Sequence, residues 1–157
     1  MNSIFKVGLV ASLWLSPLMA QDSGPKLGLS IREFKNTKKI SLAPCPSKPN
    51  CVTSIEHPTS ESSHLKQPIQ GRAKSVSFSK IKYLLHIDGA KIVRETNDYI
   101  HATYTSSLLK FVDDVEFYFP TDQIVHFRSA SRVGYSDLGV NKRRMTRLKL
   151  KFQQTRD

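Results

Sequence analysis

The chain has 157 residues, 24 of them Lys or Arg against 13 Asp or Glu, giving a formal charge of +11 with 39% hydrophobic residues. That length and apolar share suit one packed domain and exclude a wholly disordered chain. Only two cysteines are present, which excludes a disulfide-rich miniature fold and an iron–sulfur array held by the chain alone. The basic excess is compatible with nucleic acid, anionic lipid or an acidic polymer, and by itself selects none of them.

Residues 1–20 read MNSIFKVGLVASLWLSPLMA, with Lys6 ahead of an apolar stretch from Val7 to Leu18 that Pro17 interrupts. Leu18-Met19-Ala20 closes the pattern of a secretory leader cleaved near Ala20. The apolar run falls short of the ~20 residues that a membrane-spanning helix needs. No cysteine follows the cut to carry a lipid, and no later stretch is long and apolar enough to span a bilayer. The expectation is therefore an exported protein, periplasmic or secreted, without a transmembrane span in the mature chain. In that compartment nucleic acid is not an expected partner. The charge is also uneven. Residues 21–70 hold 7 basic and 4 acidic side chains, residues 71–128 hold 8 and 7, and residues 129–157 hold 8 and 2. The basicity belongs to the C-terminal end.

Residues 21–42 are expected to form a flexible N-terminal segment, followed by a single domain over 43–152 and a short tail over 153–157. Pro25, Pro44, Pro46, Pro49, Pro58 and Pro68 prevent any long helix before residue 70. Within this stretch, Cys45-Pro-Ser-Lys-Pro-Asn-Cys51 reads as a disulfide across a tight loop in an oxidising compartment. Closing so small a ring constrains the unfolded chain by roughly 2 kcal/mol in the entropy model. A Cys2His2 metal set with His57 and His64 matches no common zinc spacing. A redox pair would call for a Cys-x-x-Cys arrangement. No metal or cofactor is expected.

Patterned sequence begins near Ser75. Ser75 or Ser77 is a candidate cap, Phe78, Ile81, Leu84, Leu85 and Asp88 follow at helical spacing, and Gly89 is a natural stop. Ala90–Thr96 and Tyr99–Thr105 read as strands joined through Asn97-Asp98. Pairing Thr96 with Tyr99 sets Arg94 opposite His101 and Val93 opposite Ala102, so Val93, Ile100, Ala102 and Tyr104 share one face. Asp114–Phe119 and Ile124–Arg128 form a second hairpin. Matching Val115, Phe117 and Phe119 with Val125 and Phe127 forces Asp114, Glu116 and Tyr118 onto one face with His126 and Arg128, for a turn of three or five residues.

Arg132–Gly139 reads as a loop, with turn freedom at Gly134 and Gly139 and a helix cap from Asp137 or Asn141. The segment Asn141–Phe152 is ambiguous. Met145, Leu148 and Phe152 fit a helical stripe, whereas Leu148, Leu150 and Phe152 alternate as a strand would; the cap and the basic cluster favour helix for at least its first half. The expected fold class is α+β: a two-layer design with an antiparallel sheet of about four strands and helices packed on one face. A further strand around Leu65–Ile69 is compatible with it.

With helices on the apolar face, the other face of the sheet carries Arg94, His101, Thr103, Asp114, Glu116, His126, Arg128 and Arg132. Such a set can pair across strands on a solvated surface, bind an anionic or zwitterionic ligand, or do acid–base chemistry. No Gly-rich phosphate loop, His-Glu-x-x-His or Gly-x-Ser-x-Gly motif is present. Lys142, Arg143, Arg144 and Arg147 form a basic cluster suited to adhesion to anionic head groups.

Three segments together, Cys45–Val52, Phe111–Phe117 and Arg128–Asn141 with Arg143 or Arg144 beyond, resemble the domain-of-unknown-function family 1499 over roughly residues 43–152. The resemblance implies membership of a family whose proteins often carry leaders or membrane segments. It implies no activity. It also implies that Arg128–Arg132, Tyr135, Asp137 and Asn141 belong to the family's common surface. The functional expectation is an exported, non-enzymatic envelope factor for an anionic lipid, an envelope polymer or a protein partner, with the polar sheet face and the Arg128–Asn141 region as its ligand surface. Its rivals are an enzyme using His101 or His126 with Asp114 or Glu116, and a membrane-surface protein held by its basic C-terminal helix.

Overall fold

The computed structural model describes residues 29–34, 37–56 and 64–154; the leader and His57 lie outside them. The strands are β1 (Leu29–Phe34), β2 (Thr37–Leu42), β3 (Cys51–Thr53), β4 (Ile69–Gln70), β5 (Lys91–Thr96), β6 (Tyr99–Thr105), β7 (Val112–Thr121) and β8 (Ile124–Ser131); the helices are α1 (Lys74–Ile87) and α2 (Val140–Gln154). β5 to β8 form a meander in the order β8-β7-β6-β5, β3 and β4 both pair antiparallel with β8, and β1 and β2 form a separate hairpin. The fold is α+β. Its sheet has six strands where the sequence suggests about four, because β3 and β4 are too short to show a pattern of their own.

Both helices lie on one face. Ile81, Leu84 and Leu85 of α1 and Met145, Leu148 and Phe152 of α2 bury themselves against Ile100, Ala102, Val115, Phe117, Phe119, Val125 and Phe127. The parity expected from apolar alternation holds: Phe117 faces Phe127, Glu116 faces Arg128 and Tyr118 faces His126. The hairpin then closes through a register shift to Thr121↔Ile124, with Gln123 taking a positive φ of 69°. The tight turn therefore holds two residues beyond the shift.

The first hairpin differs from expectation at one point. Thr96↔Tyr99 and Arg94↔His101 pair as expected, but a bulge at Val93 sets Ile92 opposite Ala102. The extra residue reverses the side on which the strand presents its side chains. Ile92 packs on the core and Val93 is exposed.

α1 begins one residue before Ser75, and neither Ser75 nor Ser77 is its N-cap; Ala73 takes that position without a side-chain cap. Asp122 in the β7–β8 turn accepts the Lys74 N–H at 2.8 Å, and buried Ser77 Oγ accepts the Arg72 N–H at 2.8 Å. A carboxylate from across the molecule thus satisfies a donor that the helix start leaves open. Gly89, at φ 80°, ends the helix as expected. The ambiguous C-terminal segment is helical through Gln154. Asp137 is its cap, accepting the Asn141 N–H at 2.7 Å and the Gly139 N–H at 2.9 Å.

Cys45 and Cys51 are joined by a disulfide, packed against Ala130. Where the sequence suggests a strand around Leu65–Ile69, Leu65 forms a lone parallel bridge to Thr53 and the strand is Ile69–Gln70.

Candidate functional site

The second face of the sheet is not a solvated surface. Strand β2 lies against β7 and β8 on that side, and Leu42 at its end packs with Tyr99, Tyr118 and Ile55. Beneath this cover His101, Asp114, Glu116 and Arg128 are buried. Opposed across the β7–β8 ladder, Arg128 donates from Nη1 to Glu116 Oε2 at 2.9 Å, and Tyr99 donates its hydroxyl to Glu116 Oε1 at 2.5 Å. Burial, and then the Glu116 charge, push the Tyr99 hydroxyl well above its ordinary range. Ion and acceptor are thus held in a setting from which neither can leave cheaply.

A second group sits two residues along the same strand. His101 Nε2 lies 2.7 Å from Asp114 Oδ1, and Arg132 forks onto the same carboxylate from Nε at 2.8 Å and Nη2 at 2.9 Å. Burial alone would raise the Asp114 carboxyl; the bonds from His101 and Arg132 outweigh it and hold the group below the usual carboxylate range. The same fork raises Arg132, whose side chain is 44% exposed. His126, by contrast, is partly exposed and meets Ser54 Oγ at 3.1 Å from Nδ1.

A third polar group lies on the helix face and joins α2 to the sheet. Buried Asn141 donates from Nδ2 to Asp137 at 2.8 Å, Ser131 at 3.0 Å and the Asn50 carbonyl at 3.2 Å, and its Oδ1 accepts from Ser129 and from Arg144 at 2.7 Å. Arg144 also pairs with Asp113 at 2.6 Å and stacks over Tyr104 with its guanidinium carbon 4.4 Å from the ring centre. Arg144 is therefore not part of an anion-binding surface. It shares the inward side of α2 with Asn141, Met145 and Leu148, one turn apart.

The sequence-selected residues thus fall in separate places. Glu116 and Arg128 come together as one buried pair, and His101 and the partly exposed Arg132 come together on buried Asp114. Arg94 stands opposite His101 in register but is exposed on the edge strand. Asn141 and Asp137 belong to the α2 anchor on the other face, and Tyr135 is exposed in the β8–α2 loop. A single open ligand surface made of these side chains does not form. For the acid–base reading, His101 reaches a carboxylate, and neither the hollow along α2 nor the one at the start of α1 is lined by it.

The sequence passes over Asp88. It accepts from Arg147 Nη2 at 2.7 Å, Lys151 at 2.9 Å and Tyr104 at 3.0 Å. Burial raises its carboxyl, but these donors win and bring it down to about 2. The signal available in the sequence is the acid at the end of α1 together with cations one turn apart at positions 147 and 151.

The solvent side of α2 is open. A shallow groove is lined by Gly139, Lys142, Arg143, Thr146, Arg147 and Leu150. Arg147 is tied to Asp88. Arg143 donates to the Leu138 carbonyl at 2.8 Å, and neither it nor Lys142 has a carboxylate partner among the described residues. Among those residues no cluster of three or more His, Cys, Asp or Glu gathers as a metal site, and no helix is long and apolar enough to cross a membrane.

No curated protein and no solved structure matches the chain. The family described as protein of unknown function (DUF1499) matches residues 41–152, from the last two residues of β2 through the buried Phe152 of α2, and the chain belongs to that family.

Proposed function

We propose that the protein is an exported, non-enzymatic envelope factor that binds an anionic ligand on the solvent face of α2. The observation that carries this reading is the contrast between two sets of charges. Both carboxylates of the second sheet face, Asp114 and Glu116, are buried and engaged by His101, Arg128 and Arg132, whereas Lys142 and Arg143 line an open groove without a carboxylate partner among the described residues. Cations left in that state raise the local concentration of anions. Export is supported by the leader pattern of residues 1–20 and by the Cys45–Cys51 disulfide, a bond that persists in oxidising compartments.

The test uses retention on a dextran sulfate resin. Lys142→Glu/Arg143→Glu should elute at clearly lower salt than Lys48→Glu/Lys74→Glu, which carries the same change of charge elsewhere on the surface. Equal elution of the two variants would overturn the assignment to α2. The mass of the protein recovered from the envelope fraction reads export and cleavage near Ala20 together.

A further inference from the structure

We infer that the end of the sheet beside the start of α2 docks onto the surface of an anionic lipid bilayer, an inference that rests on the reading of α2 as the anion-binding face. Two loops project there. The β6–β7 loop, residues 106–111, is closed by the Ser106 N–H on the Phe111 carbonyl at 2.8 Å. The β8–α2 loop, residues 132–139, starts next to it, with the Arg132 N–H on the carbonyl of Val112, the first residue of β7, at 3.0 Å. One step beyond that bond stand Phe111 and Val133, both about half exposed, so the loops leave the sheet side by side.

Their tips are apolar and bare. Leu108 is 86% exposed, Leu109 63% and Leu138 85%, with Tyr135 of the second loop also exposed. Single apolar residues scattered over a surface need no explanation, but here six exposed ones, Leu108, Leu109, Phe111, Val133, Tyr135 and Leu138, fall on two loops that leave the same end of the sheet, a concentration that marks an interaction site. Leu138 is moreover held outward at a positive φ of 52°, a conformation costly for a branched residue and not repaid by burial. Its carbonyl is held by Arg143, which ties the apolar tip directly to the basic start of α2.

The charges around the tips select the occupant. Lys110, Lys142 and Arg143 flank them as cations without carboxylate partners among the described residues. The carboxylates of this end are turned inward: Asp88 to Arg147, Asp113 to Arg144, and Asp114 to Arg132. Asp137 is engaged by Asn141 and the α2 backbone. Exposed apolar loop residues with cations next to them, Lys110 beside Leu109 in the chain and Arg143 bonded to the Leu138 carbonyl, match the layering of an anionic bilayer, apolar chains below and negative head groups above.

The experiment places a polarity-sensitive dye at one end or the other. Both native cysteines are in the disulfide, so Leu109→Cys can be labelled alone, and Asn97→Cys in the opposite β5–β6 turn is the control. Phosphatidylcholine vesicles with phosphatidylglycerol should shift the emission of the dye at 109 to the blue. Vesicles without it should not, and the dye at 97 should respond to neither. Adding Leu108→Glu should weaken vesicle partitioning by about tenfold without changing the melting temperature, since that side chain touches no core. A silent dye at 109 on vesicles that bind the protein, or an equal shift at 97, overturns the inference. Silence at 109 with dextran sulfate retention still dependent on Lys142 and Arg143 would leave the α2 reading standing. A shift at 109 with retention indifferent to those two residues would overturn the α2 reading instead.

Discussion

Replacing Arg128 with Met tests whether the second sheet face is an interior. The side chains of Arg128 and Glu116 are 1% and 0% exposed, and their contact is 2.9 Å. Removing the cation leaves a carboxylate desolvated without its counter-ion, a change that costs about 3–5 kcal/mol in buried pairs. In a domain of about 110 residues, that loss lowers the melting temperature by roughly 10–20 °C. Adding Glu116→Gln should recover a good part of the loss, because the amide carries no charge and its oxygen still accepts from Tyr99. Urea unfolding of the oxidised protein, followed by far-ultraviolet circular dichroism, measures all three variants with one protocol. A destabilisation by Arg128→Met below about 1 kcal/mol would mean that water reaches the pair. That result would refute the reasoning and return Arg128 to the set of ligand-binding residues.

Other predictions follow from the same contacts. Asp88, with its carboxyl lowered to about 2 in the folded protein from 3.8, contributes stability that is present above pH 4 and lost as the pH falls from about 4 to 2. Asp88→Asn should abolish that dependence on pH and cost about 1–2 kcal/mol near neutrality, with the lower value favoured because Arg147 and Lys151 are partly solvated; urea midpoints across the acid range read both effects. Asn141→Ala removes a hub of five hydrogen-bonding partners and should lower stability by about 3 kcal/mol, seen in the thermal melt. Cys45→Ser/Cys51→Ser should cost roughly 2 kcal/mol, and the mass of the wild-type protein should rise by two hydrogens on reduction while that of the double variant stays fixed.

Much of the domain is legible in the sequence because its elements announce themselves by period. Alternation in Val115, Phe117 and Phe119 against Val125 and Phe127 was enough to set Glu116 opposite Arg128. The stripe Ile81, Leu84, Leu85 located α1, and the Cys45–Cys51 spacing suggested its own closure. What alternation cannot reveal is an insertion within a strand, so the bulge at Val93 escapes it. Nor does it say what lies above a polar face. The cover over Glu116 and Arg128 comes from β2 and Leu42, a segment whose Ser, Lys and Pro neighbours give no periodic signal. The apparent basic surface of α2 is misleading for a related reason: a run of three cations wraps around a helix, so Arg144 necessarily points where Asn141 and Met145 point. Leu108 and Leu109 carry a signal in being apolar between two strands without alternating, yet only the geometry shows that their loop leaves the sheet next to the one that carries Leu138.

The bulge in β5 also bears on how this protein behaves in company. β5 is one margin of the six-stranded sheet, and a straight, unpaired margin invites another strand to add to it. Here the ladder is interrupted at Val93, and Lys91, Arg94 and Glu95 are exposed along it. At the far margin β3 and β4 divide the outer side of β8 between two short pieces. Neither side offers a continuous template. A protein gathered at high density on a surface would meet copies of itself constantly, and these two interrupted margins oppose its polymerising into a fibre.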